Sequence, residues 1–163
     1  MKKTIVSLAI ATASFADSAA NFVSLDVDRV KDDVTGAVSQ AQYLRAGKDM
    51  LGLNLGLQVR TAVFDKGGML NSLEATAGKQ FGMFNVFGGL GHDNGFNGGV
   101  GKSFQYGLVG ASTGMKLGPV YAFGGAKTRV NWNDANPKQT VGFAGVSYPL
   151  TKQASLGLSA GIS

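Results

Sequence analysis

Six charged residues fall on the polar side of segments with alternating polarity, and their types could do chemistry. They are Asp26, Asp28, Arg60, Glu74, Lys127 and Arg129. Two carboxylates at a suitable separation could act as the acid and the base of a glycoside hydrolase. However, charges that are buried together need partners of opposite sign. We therefore expect these carboxylates to pair with the bases, and in particular Glu74 to pair with Arg60 on a neighbouring antiparallel strand.

Other kinds of chemical site find little support. The chain has no cysteine, which excludes disulfides, thiolate metal sites and a thiol nucleophile. His92 is the only histidine, and a lone imidazole makes neither a metal site nor a catalytic triad. The stretch "GGLGHDNGFNGGVG" ends like a phosphate-binding loop, but Phe96 stands where that motif needs its first glycine. We expect no cofactor, no metal and no enzymatic activity.

The elements that position the charges are short segments in which polar and apolar residues alternate. In "GLNLGLQVRTAVF", residues 52–64, Leu53, Leu55 and Leu57 point to one side and Arg60 to the other. Nine strand-like segments follow one another from residue 22, separated by turn residues. Twenty-five glycines, many of them inside apolar runs, suit a strongly curved sheet. The pattern predicts an all-β chain.

The connections between these segments alternate in length. Short ones are expected near residues 47–49, 79–81, 116–119 and 149–153, and longer polar ones near residues 31–36, 65–70, 91–101 and 131–138. Short turns on one rim and longer loops on the other are typical of barrels that span a membrane. We predict an antiparallel up-and-down transmembrane β-barrel of about 8–10 strands.

The alternation by itself leaves open which face of the sheet is buried. In a soluble protein a second sheet or helices would have to cover the leucines, whereas lipid solvates them directly in a closed membrane barrel. Charges of both signs opposite the aliphatic residues favour the membrane barrel, with a polar, ion-paired lumen. Four aromatic residues near strand ends are then expected at the membrane interfaces. They are Tyr43, Phe64, Trp132 and Tyr148.

The first residues, "MKKTIVSLAIATASFA", have the pattern of a secretory signal peptide. Two lysines precede a short apolar stretch, and small residues precede the expected cut after residue 16. A second acceptable cut lies after residue 20. Residues 17–163 are expected to form a single barrel domain.

With the strands "GLNLGLQVR", "VYAFGGAKTRV" and "SLGLSAGIS" and the export signal, the chain resembles the small porin-like outer-membrane β-barrel proteins of Gram-negative bacteria. The resemblance implies location in the cell outer membrane and a structural or narrow-pore role. It also implies contact with outer-membrane lipid and lipopolysaccharide and with the barrel-assembly machinery.

The chain departs from that family at its end. Such proteins usually finish in a strand with a C-terminal aromatic residue, whereas this sequence finishes at Ser163. Nine segments are also an odd number for a closed up-and-down barrel. Either the count is wrong, or a final closing strand is missing from the sequence.

Two other functions remain open at this point. One is a surface adhesion or interaction protein that binds a partner through the four longer loops. The other is a soluble periplasmic ligand-binding barrel of the lipocalin kind. The formal net charge of +5 comes with no run of four Lys or Arg residues, so we expect no nucleic-acid partner.

Overall fold

The computed structural model describes residues 3–13, 22–32, 38–64, 67–97, 100–132, 138–150 and 154–162. These residues form ten β-strands. The strands are β1 (Lys3–Ala13), β2 (Phe22–Asp32), β3 (Val38–Met50), β4 (Leu53–Phe64), β5 (Met69–Phe81), β6 (Phe84–Asn97), β7 (Val100–Leu117), β8 (Val120–Asn131), β9 (Lys138–Pro149) and β10 (Ala154–Ile162). Within the described residues, no helix has the length and apolar character needed to cross a membrane.

The strands form one closed barrel. Each strand pairs antiparallel with its neighbours in sequence, and β1 also pairs with β10, which closes the ring. The predicted antiparallel up-and-down barrel is confirmed, and its ten strands lie within the expected range. The strand that the sequence count omitted is β1, because its residues carry the pattern of an export signal.

Three of the short connections are two-residue turns. The turn at 118–119 lies within the predicted range of 116–119, and the other two lie slightly later in the chain than expected. The first turn is Leu51–Gly52, where both residues have positive φ, as a type I′ hairpin requires. The other two turns begin with Gly82 and Gly118, each with positive φ at the first position, which is typical of type II′. The turns expected at 47–49 and 79–81 were wrong, since β3 and β5 continue to the turns just described.

The prediction of a long loop over residues 91–101 was also wrong. Strand β6 continues to Asn97, β7 begins at Val100, and the two remain paired up to these residues. Glycine and polar residues suggested a loop there, but β6 and β7 stay hydrogen-bonded to each other through these residues. Parts of the other long connections (33–37, 65–66, 133–137) and of the short one near 149–153 (151–153) lie outside the described residues.

The two faces of the barrel differ in polarity, because cross-strand partners point to the same side. Large apolar side chains lie on the outer face, where Leu57 is 49% exposed and Val109 is 65% exposed. Apart from two glycines, the buried residues of the described part are few and mixed in character: Ser39, Ala41, Ala62, Ser72, Glu74, Tyr106 and Leu108. The leucines of β4 therefore point outward, and the predicted lumen residues Arg60, Glu74, Lys127 and Arg129 point inward.

Candidate functional site

A cluster of charged side chains inside the barrel centres on Glu74 of β5. Its carboxylate accepts hydrogen bonds from Lys127 Nζ at 2.9 and 3.2 Å and from Arg129 Nη2 at 2.8 Å. Both bases belong to β8, so the contacts cross the interior over β6 and β7. The side chain of Glu74 is only 6% exposed. We call Glu74, Lys127, Arg129, Tyr106 and Asp93 the Glu74 cluster.

Tyr106 of β7 joins this cluster because β6 carries a glycine in the right place. The Tyr106 hydroxyl donates to Glu74 Oε2 at 3.2 Å, and its ring lies 4.7 Å under the Arg129 guanidinium carbon. Gly91 lies between Glu74 and Tyr106 in the strand register. A Cβ atom at Gly91 would overlap the Tyr106 ring. The absent side chain therefore gives the ring the space to lie across β6 and reach β5.

A second carboxylate extends the cluster along β6. Asp93 Oδ2 lies 3.9 Å from Arg129 Nη1, and Asp93 Oδ1 accepts a hydrogen bond from Ser72 Oγ of β5. Two acids and two bases thus meet in one place, with formal charges that balance. Low exposure strengthens each attraction, but it also makes the loss of a single partner costly.

The predicted ion pair between Glu74 and Arg60 does not form. In the register, Gln58 is the partner of Glu74 and Arg60 is the partner of Ser72. Arg60 instead lies over the Tyr43 ring, 5.5 Å from its centroid, and its buried Nε atom has no hydrogen-bond partner. Glu74 instead pairs with the two bases of β8, which reach it across the interior of the barrel.

Tyr43 was expected at a membrane interface, and the structure places it elsewhere. It lies in the middle of β3, on the inner face with Arg60. Arg45 of the same strand lies 4.7 Å from the Tyr43 centroid and donates from Nε to Gln58 Oε1 at 2.8 Å. The prediction used nearness to an expected turn, and that turn is several residues further along the chain.

Asp26 and Asp28 are described only through their backbone. On β2 they pair with Tyr43 and Ala41 of β3, which are inner-face positions. Their side chains lie outside the described part of the structure, so the expected pairing of these two carboxylates stays a prediction.

The other three predicted interface aromatics lie near strand ends. Trp132 directly follows β8, whereas Phe64, the last residue of β4, pairs with the buried Ser39 and so lies on the inner face, contrary to its predicted interface position. Tyr148 lies on the outer face, one residue before the end of β9, and is 49% exposed. The sequence reading omitted Phe81 and Phe84, which flank the second short turn and are also exposed.

Two residues of the Glu74 cluster, Asp93 and Tyr106, were not among the predicted site residues. Asp93 was assigned to a loop, and the structure places it in β6. Arg45, which contacts Tyr43 outside this cluster, was also missed, although alternation along β3 puts both residues on one face. Tyr106 lies in a segment whose facing the sequence left ambiguous. Its role depends on Gly91, which only the strand register identifies.

Metal chemistry has no obvious centre in the described residues. They contain no group of three or more His, Cys, Asp and Glu side chains placed to hold a metal ion. His92 points outward from β6 and lies with its Nε2 atom 3.2 Å from Ser103 Oγ.

The solved structures that are similar to this chain include three outer-membrane proteins. A porin has a TM-score of 0.43 and 14% identity, with 92% of this chain and 59% of that chain covered. CdiB from Acinetobacter baumannii has a TM-score of 0.43 and 15% identity, with 99% and 38% covered. Neisserial surface protein A (NspA) has a TM-score of 0.38 and 15% identity, with 99% and 93% covered. This chain thus spans less than two thirds of the first two proteins.

No protein-family model and no curated protein sequence matches the chain. The class of the protein therefore rests on its own strand pairing: it is a closed antiparallel β-barrel with an apolar outer wall and charges inside.

Proposed function

We propose that this chain is an outer-membrane β-barrel protein with a structural or narrow-pore role, whose interior is crossed by the Glu74 cluster. The observation that carries the proposal is the outer wall. Large apolar side chains are exposed around a barrel that leaves no strand edge unpaired in the described residues. A bilayer solvates such a wall, and closure satisfies the backbone groups that lipid cannot.

The height of the apolar wall supports this proposal. On β4 the outward residues are apolar from Leu53 to Val59, and Thr61 is the first polar one. At a rise of about 3.3 Å and a strand tilt of about 40°, Leu53 and Val59 are about 15 Å apart along the barrel axis, and Thr61 lies about 20 Å from Leu53. Known barrels of this class have an apolar band of ~25 Å.

Polar side chains on the outer face mark the end of the apolar wall that is nearer the longer connections. Three cross-strand hydrogen bonds lie there, towards the longer connections. They join Thr61 to Asn71, His92 to Ser103, and Thr128 to Thr140. Outward polar residues on six strands are expected where the hydrocarbon ends and the headgroups begin. The short turns then face the periplasm, as in the membrane barrels that the sequence resembles.

The interior supports a narrow path at most. A barrel of about eight strands is just wide enough for its own side chains, and ten strands add only modest room. The Glu74 cluster spans this interior from β5 to β8, and its charges are paired with one another. Free diffusion of solutes is therefore expected to be slight, and we propose no catalytic role for these residues.

The lipocalin alternative does not agree with this arrangement. A soluble ligand-binding barrel needs an apolar interior and a polar exterior, and here the described side chains show the reverse. In water, an exposed apolar surface of this extent would promote aggregation.

Membrane fractionation and reconstitution test the proposal. We expect the protein in the outer-membrane fraction, soluble only with detergent, and migrating faster on a gel before boiling than after it. Purified protein should also insert into phosphatidylcholine vesicles. A protein recovered without detergent, with no heat-dependent migration, would contradict the proposal, and conductance in planar bilayers separates a narrow pore from a purely structural barrel.

Export forms part of the proposal and has its own test. We propose that residues 1–16 direct export, yet Lys3–Ala13 also pair as β1. A residue cannot be both a cleaved signal and a barrel strand in the mature protein. The mass of the outer-membrane form decides: an N-terminus at Asp17 or Asn21 supports the signal, and an intact N-terminus supports the strand.

A further inference from the structure

The charges of the barrel wall are sorted by sign. Every carboxylate whose side chain the structure describes lies on the inner face by strand register. These residues are Asp49, Glu74 and Asp93. The basic residues occupy both faces, and the outer face has Arg29, Lys48, Lys79 and Lys138. The outer wall in the described residues is therefore cationic wherever it is charged.

Two of these lysines lie within the apolar wall and not beyond it. Lys48 pairs with Leu55, and Lys79 pairs with Val86, so both point outward. Each is followed on the same face by a large exposed apolar residue nearer the short turn, Met50 and Phe81 respectively. A lysine in such a position places its charge at the headgroups while its stem covers apolar surface.

The two lysines are close enough to serve one headgroup. Only β4 separates β3 from β5. Leu55 of β4 pairs with Lys48 on one side and with Ala77 on the other, so these three residues lie in one row across the strands. Lys79 lies two residues beyond Ala77, nearer the short-turn rim. Strand spacing and rise put their backbones about 12 Å apart, so both long side chains can reach a point between them. Leu53 and Leu57 of β4, both exposed, provide an apolar floor between them for acyl chains.

Phe81 adds a third element to this surface. Lys79 Nζ lies 5.8 Å from the Phe81 ring centroid, and the ring is 58% exposed on the same outer face. An aromatic ring beside a cation holds the ammonium near the level of the headgroups.

We propose that Lys48, Lys79 and Phe81 form a binding site for an anionic glycerophospholipid in the leaflet at the short-turn rim. The inference rests on the proposed membrane location and adds a ligand to it. The phosphate lies between the two ammonium groups and the acyl chains lie against β4. Charge complementarity selects the ligand, because no described carboxylate on the outer wall competes for either lysine.

Titration of the folded full-length protein in detergent micelles with phosphatidylglycerol, and separately with phosphatidylcholine, tests this site. Native mass spectrometry counts the bound lipid. We expect preferential binding of phosphatidylglycerol, weakened by salt. The double variant Lys48→Gln/Lys79→Gln should lose about 25-fold in affinity, or about fivefold per lysine, because a basic residue at an anionic surface contributes about 1 kcal/mol.

A matched control comes from the same rim. Lys116 is also exposed near a short turn, but its pairing with Tyr121 places it on the inner face. Lys116→Gln should leave phosphatidylglycerol binding unchanged. The double variant Lys48→Arg/Lys79→Arg keeps both positive charges and should preserve binding, so it tests the site even if the glutamine variant folds poorly. Three results would contradict the site. The protein could bind the two lipids equally, or Lys116→Gln could lower phosphatidylglycerol affinity as much as the double glutamine variant does. The third is a folded double glutamine variant that keeps the wild-type affinity.

Failure of this site is distinguishable from failure of the proposed function. Wild-type protein that does not enter phosphatidylcholine vesicles contradicts the membrane location itself. Protein that enters those vesicles, migrates as a folded barrel and shows no preference for phosphatidylglycerol contradicts only the lipid site.

Discussion

The wall formed by β5–β8 and the wall formed by β3 and β4 each place an arginine over a tyrosine ring. The two walls differ in whether that arginine also forms an ion pair. Arg129 lies over Tyr106 and also donates to Glu74, which joins strands that are not neighbours. Arg60 lies over Tyr43 and makes no ion pair with any residue whose side chain the structure describes. The first wall is therefore cross-linked through the interior, and the Arg60 side of the second depends on contacts between adjacent strands.

The short turns of the two walls also differ, in the residue that occupies the turn position with positive φ. The β5–β6 and β7–β8 hairpins place Gly82 and Gly118 at the position of positive φ. The β3–β4 hairpin places Leu51 there, with φ of 54° and a side chain that is 96% exposed. A left-handed conformation is costly for leucine and free of that cost for glycine. The β5–β8 wall thus combines favourable turns with internal cross-links.

Loss of the Glu74 charge should have the largest effect. Glu74→Gln leaves Lys127 and Arg129 without their carboxylate, so we expect the free energy of unfolding to fall by about 3–5 kcal/mol. Urea unfolding in detergent micelles, followed by the fluorescence of the single Trp132, measures this change. Asp49→Asn, at an exposed inner-face carboxylate near the rim, is the control and should change stability little. Equal effects of the two substitutions would refute a special role for the cluster.

Crowding at Gly91 should have the next largest effect. Gly91→Ala puts a methyl group where the Tyr106 ring lies, so the ring must move and its hydrogen bond to Glu74 must lengthen. We expect a loss of about 1–3 kcal/mol, as for overpacked cores. Gly88→Ala on the same strand is the matched control, because the added methyl group meets only ordinary contacts. Additive losses in Gly91→Ala/Glu74→Gln would show that the two positions act independently, against the structure.

Removal of the Arg60 charge should matter far less. Arg60→Met ends the contact with the Tyr43 ring but also removes a buried Nε atom that has no hydrogen-bond partner. These effects oppose each other, so we expect the free energy of unfolding to change by less than about 1 kcal/mol. The same urea titration provides the comparison. A loss as large as that of Glu74→Gln would show that the two walls are equally cross-linked.

The smallest expected effect is a gain at the β3–β4 turn. Asparagine adopts positive φ more readily than leucine and precedes glycine in favoured type I′ turns, so Leu51→Asn should raise stability by about 0.5 kcal/mol. Met83→Asn tests whether the gain comes only from replacing an exposed apolar residue, because Met83 is exposed at a turn position that does not have positive φ. A similar gain in both variants would remove the contrast between the turns.

Much of the architecture could be predicted from local patterns. The alternation of Leu53, Leu55 and Leu57 with Arg60 defined two faces, and that pattern depends only on the two-residue period of a strand. The bounds of the connections were harder, as the misplaced loop at 91–101 shows. Glycine and asparagine favour turns on average, but cross-strand pairing overrides that preference when both strands continue.

The partner of Glu74 could not be predicted from the sequence. Neighbouring strands suggested Arg60, since that residue is close in the hairpin, but the ion pairs formed with Lys127 and Arg129 more than fifty residues away. That choice depends on barrel curvature, on the space above Gly91 and on side chains long enough to cross β6 and β7. None of these quantities is encoded in the spacing of charges along the chain.

The sequence alone therefore determined that the chain is all-β and that its strands have one mainly apolar face and one polar, charged face. These properties follow from local periodicity. Only the tertiary structure decided that the ring closes with β1 between β10 and β2, that Tyr43 lies inside, and which charges meet. Those outcomes depend on register and closure, which bring together side chains whose distance in space bears no fixed relation to their separation in sequence.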